Sequence, residues 1–279
     1  MKNIFFLLFS FSSLILRAQY FYTDIIGTLQ TNKQMQIYKA NKVLKVSASG
    51  VDPAGRRTTD FSELQEIKEN GNALKISTFN KLNKTVYYNR FDDQGRLTSI
   101  IDSSFAVQST TTYEYDNNGK IVLVKNVIND TANDFNQTEI HKWIYNSDGT
   151  PLRMWRTINN ADSLEVRFTA DEHGNAGDEK TYKRGIETGV VYYYYDDKKR
   201  LTDIVRYNTK AKKLLPDMMF EYDDQDRIIQ KITTTSSLNL SYLIWRYLFD
   251  DKGLKTKEAL FNNDKELTGK IEYSYTFGQ

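Results

Sequence analysis

Apolar and polar residues alternate with a period of two along most of this chain, and the alternation restarts at regular intervals. Six phrases mark the restarts: Tyr113–Ile121, Arg90–Leu97, Ile144–Gly149, Tyr194–Leu201, Glu221–Ile228 and Leu248–Gly253. Each reads aromatic-Asp/Asn-x-x-Gly-x-apolar or a near variant. Taking the glycine slot as an address gives Gly71, Gly95, Gly119, Gly149, Gly174, Lys199, Asp226 and Gly253, spaced 24, 24, 30, 25, 25, 27 and 27 residues apart. That spacing is about two strands and two turns, so the chain reads as an array of like units.

The phrase predicts a hairpin turn. A type I turn followed by one left-handed residue makes a bulge that restores pairing, and glycine takes that slot without steric cost. The leading Asp92, Asp116, Asp196, Asp223 and Asp250 offer a short acceptor to backbone N–H groups two residues on. Asp226 tolerates the left-handed slot, whereas Lys199 there should cost about 1 kcal/mol.

Counting back four and six residues from each slot gives Asn89/Phe91, Tyr113/Tyr115, Trp143/Tyr145, Phe168/Ala170, Tyr193/Tyr195, Phe220/Tyr222 and Tyr247/Phe249, continued by Tyr273/Tyr275. Fourteen of these 16 positions are aromatic, so one sheet face is an aromatic stack and the core. The opposite phase is mostly polar, with Arg90, Thr112, Glu114, Lys142, Arg167, Glu221, Arg246 and Glu272. Strands leaving the turns are β-branched, as in Ile121–Val124 and Ile228–Ile229. Only a short stretch at Ser62–Lys68 suggests a helical turn. The predicted fold class is all-β, a repeat array of antiparallel β-hairpins forming an elongated, curved or spiralling sheet.

The ends alter this picture. Residues 1–18 carry Lys2, an apolar run from Ile4 to Leu16, and a small residue at Ala18, the pattern of a secretory signal peptide. Cleavage there removes Lys2 and Arg17 and leaves 36 basic against 36 acidic residues, a balance that gives no nucleic-acid signal. The apolar run is short for a span, so no stable membrane insertion is expected after cleavage. The chain has no Cys, which excludes thiol chemistry and disulfide staples; a sheet of this length buries enough core without them. Export without disulfides fits a bacterial envelope: periplasm, cell surface or secretion. Residues 19–60 match the repeat poorly and read as an N-terminal cap or edge segment; residues 61–279 hold the repeats.

The phrase Tyr-x-Tyr-Asp-x-x-Gly-Arg-Leu, carried best by Tyr113–Ile121 and supported by Phe91–Leu97, Tyr193–Leu201 and Tyr222–Ile228, resembles the YD repeat, also called the RHS repeat. The resemblance covers residues 60–279. It implies coiled strips of β-hairpins and extracellular roles that include carbohydrate contact. Such strips sometimes form shells around a toxin domain, but this chain is too short to enclose a cargo.

Catalytic chemistry is thin. Only His141 and His173 could serve a triad or a zinc site, and neither has a partner at ligand spacing. No catalytic residue, metal ligand or cofactor is assigned. The acid pairs Asp92–Asp93, Asp196–Asp197, Asp223–Asp224 and Asp250–Asp251 could hold calcium, although they lack the alternating ligands and final Glu of a calcium loop, and they allow a glycoside hydrolase as a weak alternative. Tyr88, Tyr192 and Tyr194 lie in the polar phase and are the candidate ligand-binding residues, because tyrosine faces stack on sugars while their hydroxyls bond. The leading expectation is therefore a non-enzymatic exported binding or scaffold protein with a glycan partner. The alternative is a structural component that docks another envelope protein through an open sheet edge at Tyr273–Phe277.

Overall fold

The computed structural model describes residues 20–81, 83–104, 107–131, 133–236 and 241–279. The signal-peptide expectation for residues 1–18 lies outside them. Among the described residues one α-helix, α1 (Thr23–Ala40), precedes eighteen strands. The first group is β1 (Val43–Val51), β2 (Arg57–Lys68), β3 (Ala73–Asn80), β4 (Asn83–Phe91), β5 (Leu97–Asp102) and β6 (Val107–Tyr115). Next come β7 (Ile121–Asp130), β8 (Phe135–Tyr145), β9 (Pro151–Ile158), β10 (Asp162–Ala170), β11 (Ala176–Lys183) and β12 (Ile186–Tyr195). The last are β13 (Leu201–Asn208), β14 (Lys213–Tyr222), β15 (Ile228–Ser236), β16 (Ser241–Phe249), β17 (Lys255–Phe261) and β18 (Leu267–Phe277).

Every strand pairs antiparallel with its chain neighbours, and β18 pairs with β1, from Val43↔Phe277 to Val51↔Lys270. The all-β hairpin array is thus present, but as a closed barrel instead of an open curved or spiralling sheet. Closure also corrects the expected free edge. Tyr273–Phe277 belongs to β18, which is bonded to β17 on one side and β1 on the other. Accumulated strand twist and bulges let a long meander curl until its two edges meet, which removes both edges.

The repeat turns all lie at one end of the barrel. Gly95, Gly119, Gly149, Gly174 and Gly253 have φ of 75–90°, and Lys199 and Asp226 take the same left-handed slot at 60° and 58°. The register slips by one at each such turn, for example between Glu114 and Tyr115, as the bulge requires. Asp92 shows the chemistry: its Oδ1 accepts from the N–H of Gln94 (3.0 Å) and of Arg96 (2.9 Å). Gly71 differs, closing the β2–β3 connection behind Glu69 and Asn70, both also at positive φ. Asp52–Gly55 makes an Asp-x-x-Gly turn of the repeat kind at the opposite end, between β1 and β2.

A second device joins unit to unit. The tyrosine four places before a slot, and Tyr275 where the pattern continues on the last strand, reaches across to the strand leaving the preceding turn. Tyr115 Oη donates to the Leu97 carbonyl (2.6 Å), Tyr145 to Ile121 (2.7 Å), Tyr195 to Ala176 (2.9 Å), Tyr222 to Leu201 (2.7 Å) and Tyr275 to Lys255 (2.7 Å). The cation after the slot then packs over the next unit's ring: Arg96 lies 4.7 Å from the Tyr115 centroid, Arg200 4.8 Å from Tyr222, and Arg227 5.0 Å from Phe249.

α1 crosses the barrel at the repeat-turn end. Its 18 residues span about 27 Å at 1.5 Å each. The start of α1 meets β8 and β11–β14, and its end meets β1–β3, β18 and the β16–β17 turn. Midway, Asn32 Oδ1 accepts from the Leu97 N–H (2.8 Å) while Lys33 Nζ reaches the Asp226 carbonyl (3.0 Å), tying the helix to both side walls. This helix was not expected, and Ser62–Lys68 lies within β2 instead of forming a helical turn. The segment 19–60, expected as a cap or edge, supplies α1, β1 and the start of β2.

Three of the four buried apolar clusters collect around α1. The aromatic phase faces inward, with Trp143, Phe168 and Tyr193 buried and Tyr113, Tyr115 and Tyr145 packed beside them.

Candidate functional site

Two regions carry polar chemistry, one inside the barrel and one on its outer wall. The inner one surrounds the start of α1. His141 on β8 is buried, with Nδ1 2.6 Å from Asp24 Oδ2 and Nε2 2.8 Å from Glu139 Oε1. Arg156 on β9 bonds both Glu139 oxygens, and Trp143 Nε1 donates to Asp24 (3.2 Å). Burial alone would lower the imidazole, but Asp24 first and Glu139 next outweigh it and push His141 up to about 9. Burial acts against ionisation of Glu139 as well, yet His141 and Arg156 hold it down at about 2. Next to them Glu179 on β11 is fully buried and accepts from the N–H groups of Phe21 (3.2 Å) and Tyr22 (3.0 Å) and from Tyr193 Oη (2.7 Å). Burial dominates there, and the three donors only partly offset it, so the carboxyl rises to about 7. Tyr20 Oη donates to Asp217, which also binds Arg206.

This lattice joins helix to wall. The Phe21 ring packs edge-on against the His141 ring, 5.4 Å between centroids, and closes it off. A carboxylate at the first turn also suits the positive end of the helix dipole. His173, the other histidine, sits in the β10–β11 turn with its side chain 64% exposed, beside Glu172.

The outer wall holds the predicted tyrosines. Tyr88 on β4 is 40% exposed and Tyr194 on β12 is 48% exposed; Tyr192 is half-buried on the same outward face as Tyr194. The structure does not bring all three together, because β4 and β12 stand eight strands apart in an 18-strand ring, nearly opposite. Tyr192 and Tyr194 do form a pair, and sequence reasoning missed their neighbours. Register places Asp178 of β11 and Val205 of β13 on either side of Tyr192, and Asp203 beside Tyr194. Tyr207 on β13 points outward and is 57% exposed. Tyr182 on β11 carries the Arg167 guanidinium 4.3 Å from its centroid. Asp178 Oδ1 makes no hydrogen bond; Lys180 Nζ lies 4.0 Å away.

Three tyrosines on two adjacent strands, Tyr192, Tyr194 and Tyr207, with the Asp178 and Asp203 carboxylates beside them in register, can stack on a ring and bond its hydroxyls; Tyr182, opposite Glu187, stands apart from this group. The missed signal was available: Tyr207 shares the outward phase, but its place diagonal to Tyr192 needs the register of β12 and β13.

Among the described residues, no cluster of three or more His, Asp or Glu side chains could hold a metal ion. No helix among them is long and apolar enough to cross a membrane.

No family model matches the chain, and no curated protein matches it. Distant likenesses exist among solved structures. A porin-like protein from Bacteroides uniformis shares 12% identity at a TM-score of 0.42, over 84% of this chain and 98% of that one. A TcdB2-TccC3-Cdc42 structure shares 13% at a TM-score of 0.35, and a Photorhabdus luminescens Tc holotoxin pore 14% at 0.34, each over 80% of this chain. The chain spans about 12% of the length of those two toxin chains.

Proposed function

We propose that the chain is a non-enzymatic binding or scaffold protein of the bacterial envelope, an array of YD-like repeats that takes a carbohydrate on the outer wall of β11–β13. The observation that carries this is the juxtaposition of Tyr192, Tyr194 and the exposed Tyr207 on β12–β13, with Asp178 and Asp203 in register beside the first two. Stacking supplies affinity, and the tyrosine hydroxyls with the flanking Asp178 and Asp203 carboxylates supply polar selectivity. Tyr88 plays no part in this site.

The non-enzymatic reading draws support from how the acids are used. Asp92, Asp196 and Asp223 each accept two backbone N–H groups and an arginine. Partial burial opposes ionisation of each, but these donors outweigh it and hold all three below the usual carboxylate range. A carboxylate held so cannot serve as a general acid near neutrality. An exported location fits the residue 1–18 pattern. The outward face supports a water-facing wall, with ion pairs such as Arg153–Glu165–Arg167 and Lys257–Glu272 where a lipid-facing barrel would carry an apolar band.

The test is a glycan array probed with the chain from residue 19 onward and with its Tyr192→Ala/Tyr194→Ala variant. Binding that is specific and lost in the variant is expected. A folded protein that binds no glycan would overturn the carbohydrate reading.

A further inference from the structure

A different stretch of outer wall has chemistry the tyrosine patch lacks. On β14–β17 the register aligns four apolar side chains in one row across the strands: Met219↔Ile232, Ile232↔Ile244 and Ile244↔Phe261. Ile244 faces outward yet is only 6% exposed, whereas Leu248, four residues on in the same strand, is 60% exposed. The wall is therefore concave at Ile244, and a groove of about 410 Å³ opens there.

The two flanks of the row differ. On one side Gln230 bonds Glu221 (2.6 Å) and accepts from Arg246 Nε (2.8 Å), while the Arg246 guanidinium lies 5.2 Å from the Phe261 centroid. On the other side stand Pro216, Asp217, Thr234, Tyr242 and Lys265, with the Asp217 carboxylate neutralised by Arg206 and bonded by Tyr20. Thr234 Oγ1 is already bonded to the Pro216 carbonyl. Among the described residues no carboxylate pairs with Arg246 or Lys265. An apolar floor thus ends, toward β16–β17, under two cations without a counter-charge.

We infer that this groove binds a single-chain anionic amphiphile, an aliphatic chain carrying a carboxylate or similar anion. The floor is one side chain wide, which admits one chain and not a pair. From Met219 to Ile244 it runs two inter-strand spacings, and a third, to Phe261 under Arg246, brings the span from tail to cation to about 14 Å at about 4.8 Å each. An extended chain of about ten to twelve carbons covers that distance. The chain lies on Met219, Ile232 and Ile244, where it buries apolar surface, and its anion meets Arg246 and Lys265, which fix its direction. A sugar fits less well, because the floor is mostly aliphatic and the Thr234 hydroxyl and Gln230 amide are engaged within the protein. The inference goes beyond the carbohydrate reading and does not depend on it. The tyrosine patch ends at Asp203, one strand short of Met219.

Calorimetric titration of the full chain with dodecanoate, kept below its micelle-forming concentration, tests this. The expected result is one site per chain, no binding of dodecyltrimethylammonium or maltotriose, and unchanged affinity in the Tyr192→Ala/Tyr194→Ala variant. Lys265→Gln, on an exposed turn, should weaken binding at least about threefold, and Lys265→Gln with Arg246→Gln at least about tenfold. If Arg246→Gln impairs folding, the single Lys265 variant still decides. No dodecanoate binding, equal affinity in the cation variants, binding of the cationic surfactant, or loss of binding in the tyrosine variant would each overturn the inference. A lost glycan signal with intact dodecanoate binding would count against the tyrosine patch alone.

Discussion

The two ends of α1 are held by opposite kinds of chemistry. Its start is pinned by buried charge: Asp24 to His141, and the preceding backbone to Glu179. Its end is pinned by packing. Met35 and Tyr38 sink among Val43, Val46, Leu74, Phe91, Leu97 and Leu254, and the Lys39 stem lies so close to Gly71 that a Cβ there would fall 2.4 Å from Lys39 Cε. An apolar contact tolerates small shifts of its partner and ignores pH. A buried ion lattice demands fixed geometry and stays strong only while its protons are right. The same helix thus carries one pH-blind anchor and one pH-dependent anchor.

The largest break of this comparison is His141→Ala. It leaves Asp24 and Glu139 buried with Arg156 as the remaining cation, and should cost about 3–5 kcal/mol in chemical denaturation at pH 6. Met35→Ala at the other end should cost about 3 kcal/mol through lost burial and a cavity, with the same loss at pH 6 and pH 9. A Met35→Ala loss that varied with pH would contradict the division of labour.

The pH profile sharpens it further. His141 rises from 6.5 to about 9 in the folded state, so its stabilisation is whole below pH 6.5 and lost as pH climbs through 9. Glu179 rises from 4.5 to about 7, so the fold favours its neutral form and loses stability as pH climbs from 4.5 through 7. Glu139, lowered from 4.5 to about 2, contributes above pH 4.5 and gives that up as pH falls through 2. Stability should therefore peak near pH 4.5, decline toward pH 7 as Glu179 ionises, and decline further toward pH 9 as His141 loses its proton, by about 3 kcal/mol or more in all. Glu179→Gln should flatten the slope between pH 4.5 and 7. It should cost about 1–3 kcal/mol at pH 5, because its amide turns a donor toward a backbone N–H or Tyr193. Smallest is Asn32→Ala at mid-helix, about 1 kcal/mol for the lost acceptor of the Leu97 N–H and equal across the pH range.

The hairpin units were legible because period-two alternation and the Asp-x-x-Gly turn are local. Trp143, Phe168 and Tyr193 fell on the inward face as their spacing required, and Lys199 took the left-handed slot. What the phase could not show was reach. It placed Tyr115 inside but gave no hint that its hydroxyl ends on the Leu97 carbonyl. α1 was missed because it lacks a clean apolar stripe. It carries Gly27, Thr28, Thr31 and Asn32 between Ile26 and Met35, and its surroundings are turns and polar groups as well as core, so no single face needs to be apolar. Closure was missed because it depends on β1 meeting β18, across nearly the whole chain. Of the candidate site, Tyr192 and Tyr194 were found from their phase, while Asp178 and Tyr207 joined them only through pairing register.

The β1–β18 seam acts as a clasp. Every other joint in the ring forms between neighbours in the chain, and local joints form fast. The clasp, finished by the Gly278 N–H on the Lys42 carbonyl at 2.8 Å, must wait for the last strand to be delivered. Until then the nascent protein is a growing ribbon with two sticky selvedges, able to add a foreign strand at either margin. Fastening removes both margins in one step, which makes the C-terminal strand the part of the chain that ends the hazard of its own assembly.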